Sequence, residues 1–419
     1  MTHALNDGKA TQQQTKAHND SLVLSTIYEA DEISRAGVAR RTALSRTSVS
    51  EAVAELLERD LVEEIGRGRP SMGKPPILLR VKSDSRNLIG LDLSGPEFRG
   101  AVVNLRGDVL HALDLPREGR SGAAALELTY VLLDRLVSEA NAPLLGLGIG
   151  TPGLIDFERG SQVHWAVNLD WLDVPLRDLL EMRYGLPVHV LNDSQAAAMG
   201  EYFFGASHET GNLVVIKCEE GLGAGIVLEG RLLHGDNFGA GEIGHLVFAE
   251  GGLLCRCGNT GCLEALAGGA ALGWAGEAAA REGRSERLRT ALDQRGAVTA
   301  EDVARAASFG DPVAVALLQS AGRRVGSMLA SVVNFFNPSL IVIGGGVANS
   351  PEQLLASIRE TVYRRSLPLA TRDLLIQRSS LGGLAGVIGA SSMVVDQLFA
   401  RDAIGQWIEA GEPAGLLVS

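Results

Sequence analysis

A histidine and three of the chain's four cysteines lie within one short stretch, from residue 239 to residue 265. These residues are His245, Cys255, Cys257 and Cys262. Glycines at 258 and 261 lie between the last two cysteines, where a tight turn must bring the sulfur atoms together. Free cysteines often pack in apolar cores. The C-x-C-x4-C spacing beside a histidine instead favours a tetrahedral site for one structural Zn²⁺ per chain.

Length and composition predict a multidomain cytoplasmic protein. A chain of 419 residues is too long for one compact core, so we expect two or three domains. Cys218 is the one cysteine outside the zinc stretch, which argues against a disulfide framework and fits a reducing compartment. The N-terminal segment is polar and lacks the apolar core of a signal peptide. Since no apolar run is long enough to span a bilayer, we expect no membrane partner.

The charge distribution points to one region for DNA binding. The formal net charge of the chain is −12, which argues against nucleic-acid binding over its whole surface. Residues 34–80, by contrast, carry nine Lys or Arg side chains against six Asp or Glu side chains. A locally cationic segment in an acidic chain is a reason to expect DNA there.

The same region has the pattern of a helix-turn-helix. Apolar spacing predicts a short helix over 21–30, and serines at 34 and 45 are suitable N-caps for two further helices. Two short helices joined by a few residues are typical of a DNA-reading unit. The candidates for contacts with phosphates and base edges are Arg35, Arg46, Thr47, Ser48 and Ser50.

Two alternating apolar segments after the third helix predict a β-hairpin, and so a winged helix-turn-helix. The basic, Gly- and Pro-rich loop between them spans residues 66–75 and provides Arg67 and Arg69 as further DNA contacts. Residues 67–70 read RGRP, the core of an AT-hook, which lays arginines into a narrow minor groove. The alternatives are a solvated basic turn for the loop and a small helical cap or protein-docking domain for the whole segment.

The rest of the chain contains an internal repeat of one strand–turn pattern. Residues 87–113 and residues 212–235 each read as an apolar strand, a Gly-containing turn, a second strand, another turn and a third strand. This repetition predicts two similar lobes with a cleft between them. A triglycine at 344–346 follows a later strand, where backbone amides can approach an anion or a nucleotide closely. An ordinary tight β–α turn is the alternative for that triglycine.

Four motifs together resemble the ROK family of repressors and sugar kinases. They are GTPG at 150–153, Asn-Asp at 192–193, GEIGH at 241–245 and CRCGNTGCLE at 255–264. The resemblance covers the chain from about Asn19, and the N-terminal winged helix is similar to the repressor branch. It implies an α/β fold with two actin-like lobes of the ribonuclease-H type (the ASKHA class), preceded by the winged helix-turn-helix. It also implies a sugar or sugar phosphate in the cleft and a homodimer or tetramer.

The resemblance also assigns ligand-binding roles. The positions that match the family's sugar contacts are Asn168, Asn192, Asp193, Glu242, His245 and Glu264. Asp193 stands where the kinases place their catalytic base. Carboxylates, amides and an imidazole are suitable partners for neighbouring sugar hydroxyls. His245 has two ring nitrogens, so one can bind zinc while the other faces the sugar. An ordinary solvated or helix-capping role is the alternative for each carboxylate taken singly.

The phosphate-binding loops depart from the kinase pattern. Family kinases have Asp-x-Gly-Gly-Thr-Lys after the first strand, whereas residues 92–97 read DLSGPE. Pro96 removes an amide donor, and Glu97 adds negative charge where phosphates would lie. Glu219 and Glu220 add two more carboxylates at the second phosphate loop. We therefore predict no enzymatic activity, because a triphosphate must be positioned and neutralised before any base can act.

The sequence predicts a sugar-responsive transcriptional repressor. The expected organisation is a polar tail (1–18), a winged helix-turn-helix (19–83), a first lobe (84–205) and a second lobe with the zinc site (206–384). A C-terminal helix from about 385 to 419 is expected to return to the first lobe. The partners are operator DNA and the sugar effector. The alternatives are a sugar kinase with a fused DNA-binding domain and, as a third class, a ligand-free scaffold protein.

Overall fold

The structure is a computed structural model that describes residues 12–68, 75–157, 159–205, 211–346 and 352–398. Arg69, most of the predicted wing loop, most of the predicted polar tail and the chain beyond 398 lie outside the described residues. The N-terminal unit consists of α1 (Gln12–Ala30), β1 (Ile33–Ser34), α2 (Arg35–Thr42), α3 (Arg46–Glu58), β2 (Val62–Arg67) and β3 (Ile77–Val81).

These elements form the predicted winged helix-turn-helix. The Ser34 side chain caps α2 by accepting from the amide of Gly37, and the Ser45 side chain caps α3 by accepting from the amide of Ser48. The strands form an antiparallel sheet in the order β1-β3-β2. The apolar stripe of α3 is buried against the other helices through Val49, Ala52, Val53 and Leu56.

The first helix is longer than the sequence predicted. We expected a loose tail to residue 18, but α1 already begins at Gln12. The segment from 12 to 20 has no Gly or Pro and continues directly into the apolar run, so the helix can extend without a break. The Lys16 ammonium also lies 2.6 Å from the Glu55 carboxylate, which ties this extension to α3.

The next unit contains a five-stranded sheet in the order β6-β5-β4-β7-β11 and a small three-stranded sheet of β8, β9 and β10. Strands β4 to β6 form an antiparallel meander, and β7 and β11 run parallel to β4. The elements are β4 (Asn87–Asp92), β5 (Glu97–Asn104), β6 (Val109–Pro116), α4 (Gly122–Glu139), β7 (Leu144–Thr151), β8 (Leu154–Asp156), β9 (Gln162–Ala166), β10 (Trp171–Val174), α5 (Leu176–Tyr184), β11 (Val188–Asn192) and α6 (Asp193–Phe204).

The second large sheet repeats this topology, with the order β14-β13-β12-β15-β16. The elements are β12 (Leu213–Cys218), β13 (Leu222–Leu228), β14 (Arg231–Leu232), α7 (Leu263–Ala267), α8 (Gly269–Arg281), α9 (Glu286–Arg295), α10 (Ala300–Ser308), α11 (Pro312–Phe336), β15 (Leu340–Gly344), α12 (Gln353–Arg365), α13 (Pro368–Thr371), β16 (Leu375–Arg378) and α14 (Ala385–Leu398). Both sheets therefore have the meander-plus-two-parallel-strands order of the ribonuclease-H type. The predicted two-lobed actin-like fold is confirmed.

Helix α14 returns to the first sheet and packs on β4, β7 and α6. This packing needs glycine, because a Cβ at Gly200 of α6 would collide with the backbone of α14, and one at Gly389 of α14 with that of α6. Among the described helices, none has the length and apolar character needed to cross a membrane.

The winged helix shares one apolar core with the first sheet. Leu88 of β4 and Leu105, just after β5, belong to the same buried cluster as Val23 and Leu24 of α1. The Tyr28 hydroxyl donates a 3.0 Å hydrogen bond to the Leu105 carbonyl. Strand β4 therefore starts beside the winged helix and ends, at Asp92, beside the cleft described next.

Candidate functional site

A cavity of about 190 Å³ opens between the two large sheets. This volume lies below the roughly 300–1,000 Å³ of pockets for drug-sized ligands, so it suits a small polar molecule. Its lining includes every residue that the sequence predicted to contact a sugar, namely Asn168, Asn192, Asp193, Glu242, His245 and Glu264. It also includes Ser94, Lys217, Glu219 and Arg256, which the sequence did not assign to a ligand.

Two of the cavity's polar residues, Asn192 and Asp193, lie at the carboxyl end of β11. Asn192 is the N-cap of α6, and its side-chain oxygen accepts from the amides of Ser194 and Gln195. Its Nδ2 donates a 3.0 Å hydrogen bond to the Gly153 carbonyl, which holds the GTPG loop against the strand end. Ligands in open α/β sheets bind at such strand ends, and Asp193 follows directly as the first residue of the helix.

The predicted metal ligands come together in space. One ligand atom from each of His245, Cys255, Cys257 and Cys262 lies within 4.8 Å of every other. The Cys255 Sγ is 3.7 Å from the His245 Nδ1, and the Cys257 and Cys262 Sγ atoms are 3.8 Å apart. A tetrahedron with metal–sulfur bonds of about 2.3 Å has edges of about 3.8 Å, so this set fits a bound Zn²⁺. The cluster can therefore hold a metal ion.

His245 joins this cluster to the cavity. Its Nδ1 faces Cys255, whereas its Nε2 lies 3.7 Å from a carboxylate oxygen of Glu242. Burial raises the pKa of the Glu242 carboxyl, and the His245 ring opposes that shift. A metal on Nδ1 would fix the ring orientation and leave Nε2 to face a ligand.

Glu264 lies on another wall of the cavity, and an ion pair between Arg117 and Glu220 lies next to the cavity-lining Asn168. The Glu264 Oε2 accepts a 3.0 Å hydrogen bond from the Leu222 amide at the start of β13. Arg117 donates to the Asn168 carbonyl and to the Glu220 Oε1, both at 2.7 Å. Because Arg117 follows β6 and Glu220 follows β12, this ion pair connects the two lobes beside the cavity.

Lys217 is a buried cation at the base of the cavity, with a side chain only 6% exposed. Its ammonium lies 2.6 Å from the Asp92 Oδ2, 2.6 Å from the Ser94 Oγ and 3.1 Å from the Asp193 Oδ2. The carboxylates of Asp92 and Asp193 raise its pKa and outweigh the effect of burial, so the amine stays charged. Sequence reasoning missed this residue, although a single lysine in the otherwise apolar strand LVVIKC was a signal.

Replacing Lys217 with methionine should destabilise the lobes strongly. The change leaves the buried Asp92 carboxylate and the partly buried Asp193 carboxylate close together without a cation, which should lower the free energy of unfolding by about 3–5 kcal/mol. Urea unfolding followed by tryptophan fluorescence measures this. The matched control is Lys82→Met, which removes a 2.7 Å ion pair to Asp60 at the surface and should cost less than about 1 kcal/mol. Equal effects of the two changes would contradict a structural role for Lys217.

Behind Lys217, the triglycine predicted to meet an anion contacts the chain's own carboxylate. The Gly346 amide donates a 2.9 Å hydrogen bond to the Glu219 Oε1. Burial raises the pKa of the Glu219 carboxyl. The adjoining cavity, bordered by glycines of the β15 end and of the turn before α14, measures about 10 Å³, room for about one water molecule.

The predicted DNA-contacting residues of α3 differ in their exposure and in whether they form hydrogen bonds within the protein. Arg46, Thr47 and Ser50 are exposed along α3, although the Ser50 hydroxyl donates to the Arg46 carbonyl. Ser48 is half-buried, and its hydroxyl shares a 2.9 Å hydrogen bond with that of Ser45.

The remaining contacts lie near the wing. The Arg35 guanidinium is 2.9 Å from the Glu64 carboxylate of β2, so this ion pair links α2 to the wing. Arg67 is exposed at the end of β2. Arg69 lies outside the described residues.

Known proteins share both the lobes and the N-terminal unit. The ROK family profile matches residues 88–397. The chain is 32% identical over 387 residues to a xylose repressor of Caldicellulosiruptor bescii, covering 91% of this chain and 96% of that protein. It is 35% identical over 314 residues to a glucokinase of Halalkalibacterium halodurans, covering 74% and 95%. A crystal structure of a ROK family transcriptional regulator, a homolog of the E. coli MLC protein, aligns with a TM-score of 0.77 and 29% identity over 93% of this chain and 98% of that one.

Proposed function

The chain belongs to the ROK family, and from that premise we propose that it is a sugar-responsive transcriptional repressor. The observation that carries the proposal is a small polar cavity in a chain whose winged helix packs on the same sheet that forms one wall of that cavity. The similarity to the xylose repressor spans 91% of the chain, more than the two lobes alone contain, so it includes part of the winged helix. Similarity to the glucokinase spans 74% of the chain, about the length of the lobes.

In this proposal the winged helix binds operator DNA. The first turns of α3 enter the major groove with Arg46, Thr47, Ser48 and Ser50, while Arg67 and Arg69 of the wing lie along the adjacent backbone or minor groove. Arg35 reaches a phosphate by leaving its ion pair with Glu64. Winged helices commonly read two half-sites through a symmetric dimer, so we propose a homodimer or a tetramer on the operator.

The cavity binds the sugar. Asn168, Asn192, Asp193, Glu242, His245 and Glu264 contact its hydroxyl groups with fixed acceptors and donors. Zn²⁺ occupies the Cys3His cluster and holds the His245 ring with its Nε2 towards the sugar. The zinc is structural, because the four protein ligands complete its tetrahedron and leave no open position for chemistry.

Phosphoryl transfer is the alternative function, and the charges of the cleft oppose it. Lys217 neutralises Asp193, which occupies the position of the kinase base, with an ammonium 3.1 Å away. The carboxylate of Glu219 accepts from the Gly346 amide, the type of donor that would otherwise meet a phosphate. Residues 92–97 keep the second glycine of the kinase loop, but Pro96 and Glu97 replace its Thr-Lys. We therefore propose that the chain does not phosphorylate its sugar.

A gel shift on the DNA upstream of its own gene tests the function. We expect a complex with a dissociation constant in the nanomolar range, of order 10⁻⁸ M, that one sugar of a panel releases. The panel contains D-xylose, D-glucose, N-acetyl-D-glucosamine and their phosphate esters. Arg46→Ala should weaken the complex by about 1–3 kcal/mol, whereas Arg289→Ala, an exposed cation on α9, should not change it.

A failure of the gel shift has a clear meaning. If no DNA in the upstream region is bound with or without any sugar, the repressor proposal is wrong. A coupled assay of ATP consumption with the same sugars then tests the kinase, and sugar-dependent turnover would establish the alternative.

A further inference from the structure

We infer that the effector is an uncharged monosaccharide and that the cavity discriminates against its phosphate ester. The inference rests on the proposed function, since it assumes that the cavity holds the effector. Four carboxylates line the cavity, from Asp193, Glu219, Glu242 and Glu264. Two side chains that carry permanent positive charge line it as well, Lys217 and Arg256. The ligand therefore meets an excess of negative charge, and the availability of the two cations decides whether a phosphate can be held.

Lys217 has no donor left for a phosphate. An ammonium group has three hydrogens, and three acceptors surround this one, the Asp92 Oδ2, the Ser94 Oγ and the Asp193 Oδ2. Turning towards a phosphate would leave the Asp92 carboxylate, 9% exposed, without its cation. Such an uncompensated buried charge is strongly unfavourable. Lys217 therefore keeps its contacts with the protein's own acceptors and does not turn to a phosphate.

One nitrogen of the Arg256 guanidinium already contacts the protein's own polar groups. Its Nη1 donates a 2.9 Å hydrogen bond to the Asn168 Oδ1 and lies 3.8 Å from the Glu220 Oε2. The other oxygen of Glu220 is 2.7 Å from the Nη2 of Arg117. Glu220 thus lies between two guanidinium groups and occupies the position from which an external anion could contact both of them. The protein supplies this anion itself.

The remaining groups fit hydroxyls better than they fit a phosphate. Carboxylates accept hydrogen bonds from sugar hydroxyls, whereas a phosphate dianion offers acceptors and no donor at neutral pH. A phosphate next to Glu242 or Glu264 would add like-charge repulsion, because both carboxylates line the cavity. A neutral sugar has no such penalty, and its hydroxyls can donate to both carboxylates.

Isothermal titration of the full-length, zinc-loaded protein with matched pairs tests the inference. The pairs are D-xylose with D-xylose 5-phosphate, D-glucose with D-glucose 6-phosphate, and N-acetyl-D-glucosamine with its 6-phosphate. In the pair that contains the tightest ligand, we expect the ester to bind about 100-fold more weakly than the free sugar. Equal or tighter binding of the ester overturns the inference, and so does a lack of binding by all six compounds.

A charge-neutralising variant tests the physical cause. Glu220→Gln frees the guanidinium groups of Arg117 and Arg256, and we expect it to raise the affinity for the ester by about tenfold or more. The matched control is Glu282→Gln, which removes a carboxylate paired with Arg284 at the surface and should leave the ester affinity unchanged. An unchanged ester affinity in Glu220→Gln as well would show that the paired arginines do not set the preference.

These titrations fail independently of the proposed function. They measure ligand binding in the absence of DNA, whereas the gel shift measures operator binding with no need for a ligand. A protein that binds its operator but prefers the ester keeps the repressor function and loses the inference. A protein that binds the free sugar but no DNA keeps the inferred ligand class and loses the repressor function.

Discussion

Cys257→Ser should empty the proposed zinc site and strongly weaken sugar binding. A serine hydroxyl does not ionise at neutral pH, so the tetrahedron loses one of its three thiolates. Structural zinc contributes about 10–16 kcal/mol of apparent binding free energy in small zinc sites, and losing one ligand should reduce the metal content to about zero. In the proposed site the metal orients the His245 ring, so its loss should lower the sugar affinity about 100-fold. Mass spectrometry of bound metal and isothermal titration with the operator-releasing sugar measure the two effects.

Cys218→Ser is the matched control for this change. Cys218 is buried at the end of β12 and lies outside the metal cluster. This variant should keep one zinc per chain and should bind the sugar like the wild-type protein. If Cys257→Ser kept a full complement of zinc, or lost the zinc and bound the sugar unchanged, the proposed connection between metal and ligand would be wrong.

The features that the sequence predicted correctly depend on residues close together in the chain. The three cysteines span eight positions, and the serine caps of α2 and α3 lie three residues from the amides that they bind. The order of the three meander strands in each lobe also follows from short turns. Such patterns are visible in a window of ten to thirty residues, and no knowledge of the tertiary structure is needed to interpret them.

The Lys217 network could not be predicted in this way. Lys217 and Asp92 are 125 positions apart in the chain. Glu219 and Gly346, whose amide donates to it, are 127 positions apart. Sequence reasoning placed both glutamates of the second phosphate loop near a triphosphate and treated their charges as similar. The structure separates them, because Glu219 turns inward to the Gly346 amide whereas Glu220 pairs with Arg117. Only the pairing of the two lobes reveals which charges remain available to a ligand.

The beginning of α1 shows a different limit. Its first turns are polar, so apolar periodicity gives no signal for them, and the composition resembles that of a loose tail. The sequence pattern could not show that Lys16 in this segment forms an ion pair with the Glu55 carboxylate on α3. Helix ends that are stabilised by tertiary contacts are generally missed for this reason.

Glu242→Gln should shift the response to much higher sugar concentrations while leaving operator binding intact. The carboxylate lines the cavity and lies 3.7 Å from the His245 Nε2, so it can accept from a hydroxyl that also contacts the ring. An amide of the same shape keeps the packing but loses charge-assisted hydrogen bonds worth about 1.5–3 kcal/mol each. The sugar affinity should therefore fall by about 10- to 150-fold for each bond lost, and the gel-shift complex should persist at sugar concentrations that release the wild-type protein.

Operator affinity without sugar should not change in this variant, because Glu242 lies in the second lobe and the winged helix packs on the first. Glu250→Gln, an exposed glutamate on the loop before the cysteines, is the matched control and should respond to sugar like the wild-type protein. Equal loss of operator binding and of sugar response would indicate a general defect of the fold. A normal sugar response in Glu242→Gln would remove this residue from the ligand site and leave Asp193, Glu264 and the asparagines to hold the sugar. The position of Glu242 beside the His245 ring makes the weakened sugar response the expected result, since the sugar would reach the carboxylate and the imidazole together.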